Sequence, residues 1–195
     1  MRSCLPHLLP LLCLATAPAL AADDAPAVPD LSALVQCQAP LEAYADLIVP
    51  VEDPLAAVAL GWAPQARSNP FLAEYRLNTP VAAFGRHSDH LAISGGTVML
   101  VFDAAEVPPQ ALASELELEV VVDADGKFMA GREVRSVDVS AADGRTLIES
   151  AVLGASTVTS HPGRLLVGCT YSLDEPEDGS VAADAEAGTP AAAAG

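Results

Sequence analysis

Basic residues are scarce in this chain. Its 195 residues include 9 Lys and Arg against 26 Asp and Glu, which gives a formal net charge of -17. Nucleic acids and anionic membrane surfaces bind proteins through a positive surface, which this composition does not supply. We therefore expect no nucleic acid partner, and we expect a basic protein or a cation to be the kind of partner that the charge favours.

The chain also lacks the ~20 consecutive apolar residues that a membrane-spanning helix needs. Its apolar run at residues 8–14 is shorter and is interrupted by a proline. This run follows Arg2 and precedes Ala19-Leu20-Ala21, which is the order of segments in a secretory signal peptide. We expect residues 1–21 to be a signal peptide that is cleaved near Ala21-Ala22. The mature protein is then periplasmic or secreted, with no membrane span.

Cysteines are few once the expected signal peptide is removed. Cys4 and Cys13 leave with it, so Cys37 and Cys169 remain. Two cysteines in an oxidising compartment favour a single disulfide. Because the two residues are far apart in the chain, the chain-entropy model gives this bridge roughly 4–5 kcal/mol of stabilisation. Two separately buried thiols are the alternative.

Signatures of catalysis and of nucleotide binding are absent. The chain has no G-x-S-x-G elbow, no P-loop and no G-x-G-x-x-G. Ser160 and His161 are sequence neighbours, which is a poor arrangement for a nucleophile and its base. Asp123-Ala124-Asp125-Gly126 lacks the other ligands of a calcium loop. A non-catalytic protein is therefore favoured, although a carboxylate pair for glycoside cleavage stays open because acids are plentiful.

One cluster has the residue types of a metal site, the motif His87-Ser88-Asp89-His90. Imidazole and carboxylate groups are good ligands for zinc or copper, so His87, Asp89 and His90 are the candidate ligands. His161 is the other histidine that remains after export. The commoner interpretation is an exposed polar turn between Phe84-Gly85 and Leu91. We therefore predict no cofactor, with zinc or copper as the alternative.

Helical signals concentrate at the start of the mature chain. Asp30 and Asp53-Pro54 are typical helix starts, and Pro40 suits the first position of a helix between them. Pro50 is predicted to end that middle helix, and Gly61 to end the next one. Trp62 is predicted to anchor the last of these helices on a sheet, and residues 109–118 to form a further helix whose end is uncertain.

Strand signals dominate the rest of the chain. Residues 75–77 and 81–84 are predicted as strands broken by Pro80, and residues 91–94 and 97–102 as a hairpin around Gly95-Gly96. The strand at 97–102 is apolar on both faces, so we expect it to be central. Three further hairpins are predicted, with turns at residues 123–126, 141–144 and 161–163. The expected fold class is α+β, with short N-terminal helices packed on a mainly antiparallel, hairpin-rich sheet.

The domain organisation follows from these signals. We expect a linker at residues 22–29, a single globular α+β domain at 30–173 and a disordered acidic and Ala-rich tail at 174–195. Loss of Arg2 takes the charge from -17 to -18, and removal of the six acids of the tail takes it to -12. The domain is therefore acidic by itself. Arg132 and Arg135 are expected to form ion pairs with acids such as Glu119 or Glu133.

These observations favour an exported, non-catalytic protein of the cell envelope that acts by binding. An inhibitor or immunity-type protein for a basic envelope partner is one concrete form of this function. The alternative is a small periplasmic enzyme or metal-binding protein that uses the turn at His87-Ser88-Asp89-His90. The sequence does not indicate the oligomeric state.

Overall fold

The computed structural model describes residues 30–176. The expected signal peptide, the linker at 22–29 and the part of the expected tail beyond residue 176 lie outside the described residues. Within the described range the chain forms four helices and one eight-stranded antiparallel sheet. The predicted α+β fold class is therefore confirmed.

The helices are short and lie mostly before the sheet: α1 (Leu31–Val35), α2 (Leu41–Glu52), α3 (Pro54–Ala59) and, between the fourth and fifth strands, α4 (Pro109–Glu115). Two of the predicted caps form. The Asp30 carboxylate accepts a hydrogen bond from the Ala33 amide at 3.0 Å, and the Asp53 carboxylate accepts one from the Leu55 amide at 2.9 Å. Such caps satisfy backbone N–H groups that the first helical turn leaves unpaired.

The strands are β1 (Trp62–Pro64), β2 (Ala73–Ala83), β3 (Arg86–Ser94), β4 (Thr97–Asp103), β5 (Glu119–Ala124), β6 (Lys127–Ser140), β7 (Thr146–Ser156) and β8 (Arg164–Asp174). Their order in the sheet is β1-β2-β3-β4-β8-β7-β6-β5. The sheet therefore consists of two four-stranded meanders that join where β4 pairs with β8. The predicted hairpins around Gly95-Gly96, 123–126, 141–144 and 161–163 all connect neighbouring strands, and β4 is central as predicted.

All four helices pack on one side of the sheet, which we call the covered face. The apolar residues between the helices and this face form the main core of the protein. Its fully buried members include Leu34, Leu47, Leu91, Val98, Leu100, Leu112, Leu165, Val167 and Cys169. Trp62 is also buried there and packs against Tyr75, with 5.9 Å between the ring centroids. Burial of these side chains is the main favourable contribution to folding.

Each of the chain's three tyrosines links the helical layer to the sheet. The hydroxyl of Tyr171 in β8 donates to the carbonyl of Leu34 at 2.9 Å, and the hydroxyl of Tyr75 in β2 donates to the carbonyl of Val51 at 3.3 Å. The hydroxyl of Tyr44 in α2 donates to the carbonyl of Gly95. Burial raises the pKa of all three phenols, and that of Tyr171 to about 12.

The predicted disulfide forms between Cys37 and Cys169, across a sequence separation of 132 residues. Cys37 lies just after α1, and Cys169 lies in the middle of β8, where it pairs with Val98 of β4 and Leu153 of β7. The bridge therefore joins the first helix to the centre of the sheet on the covered face.

Four local predictions need correction. Helix α2 continues two residues past Pro50, so the hydrogen bond that the proline removes and its clash with the carbonyl four residues earlier fall in the last turn of the helix. Strand β2 runs through Pro80 without a break, because the register with β3 shifts between Arg76 and Val81 and leaves residues 77–80 without partners on β3, where a proline costs no hydrogen bond to that strand. Helix α4 ends at Glu115, which lies before the predicted end at residue 118.

The fourth correction concerns His87-Ser88-Asp89-His90, which is part of strand β3 and is not a turn. The turn lies just before it, at Phe84 and Gly85, where both residues have a positive φ of 55° and 67°. A pair of positive φ angles is typical of a tight hairpin turn. No described helix is long and apolar enough to cross a membrane.

Candidate functional site

The side of the sheet that the helices do not contact is only partly covered, and we call it the open face. The segment between β1 and β2 crosses one end of it. There Leu72 packs on Ala92, Val101 and Leu166 and forms a small second core. The rest of this face, over strands β5 to β8, has no such cover among the residues that the structure describes.

The strand register defines a row of residues that crosses the open face at right angles to the strands. From the β5 edge inwards its members are Glu119, Gly131, Gly154, Gly168, Met99, Ala92 and Glu74, each the cross-strand partner of the next. Three successive strands thus contribute a glycine at the same level. Because glycine has no side chain, the row leaves a depression across the sheet, which we call the trough.

The three glycines do not serve the same purpose. A Cβ on Gly168 would lie 2.0 Å from the carbonyl oxygen of Val98, so glycine is required there for the close approach of β4 and β8. A Cβ on Gly154 would meet only the Ala130 carbonyl oxygen, at 3.6 Å, and one on Gly131 would first meet the Leu153 carbonyl oxygen at 3.4 Å. Glycine at these two positions is therefore not needed for strand packing.

Apolar side chains line the trough and stay exposed to solvent. Phe71 is 80% exposed, Val121 is 67% exposed and Met129 is 47% exposed. Val152, which is 37% exposed, and the buried Leu166 complete its walls, and Phe71 with Leu72 closes its inner end over Met99. The volume of this open depression is about 490 Å³. Large exposed apolar side chains that lie together on one concave surface are typical of a binding site.

The open end of the trough at the β5 edge is acidic. Glu119 lies opposite Gly131, and Glu133 lies opposite Val152 on the next level of β6 and β7. Both glutamates are exposed. Neither has a basic partner within residues 30–176, although we expected Arg132 or Arg135 to pair with them.

Arg135 pairs instead with Glu149. Four further arginines form pairs elsewhere: Arg76 with Asp89, Arg86 with Glu115, Arg145 with Asp143 and Glu175, and Arg164 with Asp103.

Beyond Leu72 the same row ends at a buried polar cluster around Glu74. This carboxylate is 6% exposed and lies between two imidazoles. Its Oε2 is 2.9 Å from Nε2 of His90, and its Oε1 is 3.0 Å from Nε2 of His161. The second contact is not an aligned hydrogen bond, since Nε2 of His161 bonds Oγ of Ser68 at 3.2 Å and Oε1 has no hydrogen-bond partner.

Two further contacts connect this cluster to the wall of the trough. Oγ of Ser160 hydrogen-bonds Nδ1 of His161 at 2.9 Å and accepts a hydrogen bond from the Asn69 side chain at 3.3 Å. Ser68 and Asn69 belong to the segment that carries Phe71 and Leu72 over the open face. The cluster therefore attaches this segment to the loop between β7 and β8.

The chemistry of His161 fits this structural role better than catalysis. Ser160, His161 and the carboxylate of Glu74 follow one another in space, as the members of a nucleophilic triad do. Both ring nitrogens of His161 are occupied within the cluster, however, and the residue is 9% exposed.

Burial gives His90 an altered titration. Loss of solvent lowers the pKa of its imidazole, and the nearby charge of Arg76 lowers it further, while the hydrogen bond to Glu74 acts in the opposite direction. The net effect favours the neutral ring. In the tautomer that carries its proton on Nε2, the neutral imidazole still donates one hydrogen bond to the Glu74 carboxylate.

The three residues predicted as metal ligands are not brought together. Residues three apart in a strand point to opposite faces, so His87 and His90 in β3 diverge. Asp89 is engaged by Arg76. Within the described range no group of three or more His, Cys, Asp or Glu side chains is arranged to hold a metal ion. The hypothesis of zinc or copper at His87, Asp89 and His90 therefore gains no support from the described residues.

Glu74 and the glycine row are the features that the sequence did not reveal. Glu74 lies 16 residues from His90, and its contact with His161 depends on how a loop of the second meander meets the first. A signal for the glycines existed, because an isolated glycine within a strand often marks a close approach of backbone or ligand. Gly131, Gly154 and Gly168 each fit this description.

Comparison with models of known protein families gives no match for this chain, and no curated protein matches it either.

Proposed function

We propose that this protein is an exported, non-catalytic component of the cell envelope that binds a basic partner. Inhibition of a basic envelope enzyme, as by an immunity-type protein, is the concrete form that we favour. Export rests on the signal peptide expected at residues 1–21, and binding rests on the open face of the sheet.

The trough is the observation that carries this proposal. A soluble protein gains nothing in stability from Phe71, Val121 and Met129 while they stay in water, because the hydrophobic contribution arises only on burial. Their position together on one concave surface makes sense if a partner covers them. Exposed apolar surface of this kind, with a polar rim, is typical of protein–protein interfaces.

The charge of the chain indicates which partner is favoured. An acidic surface attracts a basic protein and speeds its association, and the attraction weakens as salt screens it. Glu119 and Glu133 beside the trough have no basic partner among residues 30–176, so their charge is available to another molecule.

The test is a binding measurement on the mature protein, residues 22–195. A basic envelope protein retained by it in a pull-down is purified, and the affinity of the pair is measured at low and at high salt. We expect affinity to fall by at least about tenfold, because the association is steered by charge. Binding that does not depend on salt would count against a partner chosen by its basic charge.

A further inference from the structure

We infer that the trough receives an extended segment of the basic partner, which enters across the β5 edge with apolar side chains over the glycines and a Lys or Arg between Glu119 and Glu133. This inference rests on the proposed function and specifies its mode of binding. The segment of the partner that binds here is therefore a short extended peptide with a basic residue at one end and aliphatic side chains along its length.

The dimensions of the trough fit such a segment. Neighbouring strands lie about 4.8 Å apart, so the four spacings from Glu119 in β5 to Met99 in β4 span about 19 Å. A peptide of about five to six extended residues has this length at about 3.3 Å per residue. The inner end is closed by Phe71 and Leu72, which limits the segment to this size.

The width of the trough excludes a helix. On β8 the walls are Leu166 and Thr170, which lie two positions on either side of Gly168. Their Cα atoms are therefore about 13 Å apart, and their side chains occupy part of that distance. A helix with its side chains is about 10–12 Å wide and does not fit between them. An extended chain does.

The β5 edge gives access to this space. All but one of the six residues of β5 are exposed, and β5 is the last strand of the sheet, with no neighbour beyond it among the described residues. The register between β5 and β6 shifts between Val120 and Val122, which marks a bulge at Val121. Bulges re-aim a side chain, and here Val121 joins Met129 on the wall of the trough.

Charge decides between a basic segment and a second copy of this chain. Two copies that met at their β5 edges would bring Glu119 and Glu133 of each together, and like charges at an interface are repulsive. A Lys or Arg at the mouth would instead give both carboxylates a charged hydrogen-bond donor. The apolar walls supply the remainder of the contact.

Gly154 allows the trough to be filled without damage to the sheet. Its φ is not in the left-handed region, and a Cβ added at this position would lie at an ordinary van der Waals distance of 3.6 Å from the carbonyl oxygen of Ala130. Gly154→Leu therefore places an aliphatic side chain where the segment would lie. The matched control is Thr146→Leu, which adds similar apolar surface at an exposed position on the same strand, outside the trough.

The charges are tested by a second matched pair. Glu119→Gln with Glu133→Gln removes the two negative charges at the open end of the trough. Glu42→Gln with Asp46→Asn removes two charges from exposed positions of α2, on the opposite side of the molecule. Both variants carry the same net charge, so a difference between them reports position and not total charge.

The probe is the acetylated peptide Lys-Leu-Val-Leu-Val, compared with Glu-Leu-Val-Leu-Val and with a dodecyl-chain amphiphile. Binding to the mature protein is followed by the amide NMR shifts of Gly131, Gly154 and Gly168. We expect saturable shifts with the basic peptide. The affinity obtained from them should fall at least about tenfold in Gly154→Leu and in the variant with both Glu119→Gln and Glu133→Gln, and should stay unchanged in both controls.

Three results with the added probes would overturn the inference: shifts that are equal for the acidic peptide, tighter binding of the amphiphile than of the basic peptide, or no shift at the three glycines. Concentration-dependent shifts without peptide would also overturn it in favour of a second copy. If the basic envelope partner still binds Gly154→Leu with unchanged, salt-dependent affinity, the proposed function holds and the trough is not its site.

Discussion

The two faces of the sheet are made by the same strands and have opposite roles. On the covered face, four helices, three tyrosine hydroxyls and a disulfide hold a continuous apolar core. On the open face, glycines replace side chains and large apolar residues remain in water. Stability therefore depends mainly on one face. Away from Gly168, the small second core and the Glu74 cluster, the open face can change its residues with little loss of stability, which is the property that a binding surface needs.

The largest effect that we expect is on the covered face, from removal of the disulfide. Replacing Cys37 and Cys169 together by serine should lower the free energy of unfolding by roughly 2–5 kcal/mol, because the bridge closes a very long loop. Urea denaturation of the oxidised wild type and of the double variant measures this difference. A loss below about 1 kcal/mol would mean that the helices hold to the sheet without it.

Substitutions in the glycine row should distinguish a glycine that strand packing requires from one that it does not require. Gly168→Ala should lower the free energy of unfolding by about 3 kcal/mol or more, because its Cβ would overlap the backbone of β4. Gly154→Ala is the matched control and should change it by less than about 1 kcal/mol. Thermal unfolding of the two variants tests this contrast, and equal losses would contradict the roles that we assign to the two glycines.

The tyrosine links should make the covered face sensitive to high pH. The pKa of Tyr171 is raised to about 12, so its neutral form stabilises the fold. That contribution is complete below the ordinary tyrosine pKa of about 10 and is lost as pH rises from about 10 to about 12. Tyr171→Phe should cost about 1 kcal/mol at neutral pH and reduce the alkaline loss. Urea midpoints of both proteins at neutral and at alkaline pH provide the measurement.

A smaller effect should appear at acid pH, where the open face meets the Glu74 cluster. The pKa of His90 is lowered, so the neutral ring contributes stability above its ordinary value of about 6.5 that is lost as pH falls below it. His90→Gln keeps a donor for Glu74 without a titrating group, and should make stability less dependent on pH between about 7 and about 5. An unchanged pH profile would show that His90 does not titrate in this way.

The smallest effect should come from the exposed walls of the trough. Met129→Ser and Phe71→Ser should each change the free energy of unfolding by no more than about 0.5 kcal/mol, the range of ordinary surface substitutions. Leu100→Ala on the covered face is the comparison, with an expected loss of about 2–5 kcal/mol. If Met129→Ser were as costly as Leu100→Ala, the open face would be part of the core.

The parts of the fold that the sequence predicts are those with a local chemical cause. Gly95 and the pair Asp125-Gly126 supply the positive φ angles of their turns, and Asp53-Pro54 begins a helix in the ordinary way. The error at His87 has a local cause as well. The turn before β3 uses a positive φ at Phe84, which a phenylalanine rarely adopts, so nothing in the sequence distinguishes that turn from the polar residues after it.

The candidate site depends on register, which local patterns do not contain. Gly131, Gly154 and Gly168 are ordinary strand glycines until the pairing of three strands places them opposite one another. Likewise, Glu74 meets His161 only because a segment of the first meander crosses to a loop of the second. The exposed wall residues Val121, Met129 and Val152 were predictable only as strand residues, since their exposure follows from the absence of a described helix on that side.

The position of β8 has a consequence for how the chain reaches its folded state. The last strand within residues 30–176 lies at the centre of the sheet, between β4 and β7. Until residues 164–174 are available, neither meander has its inner neighbour and Cys37 has no partner. Such long-range pairing is intrinsically slow, because loop closure must come first. The complete sheet therefore forms only after all of residues 30–174 have left the ribosome.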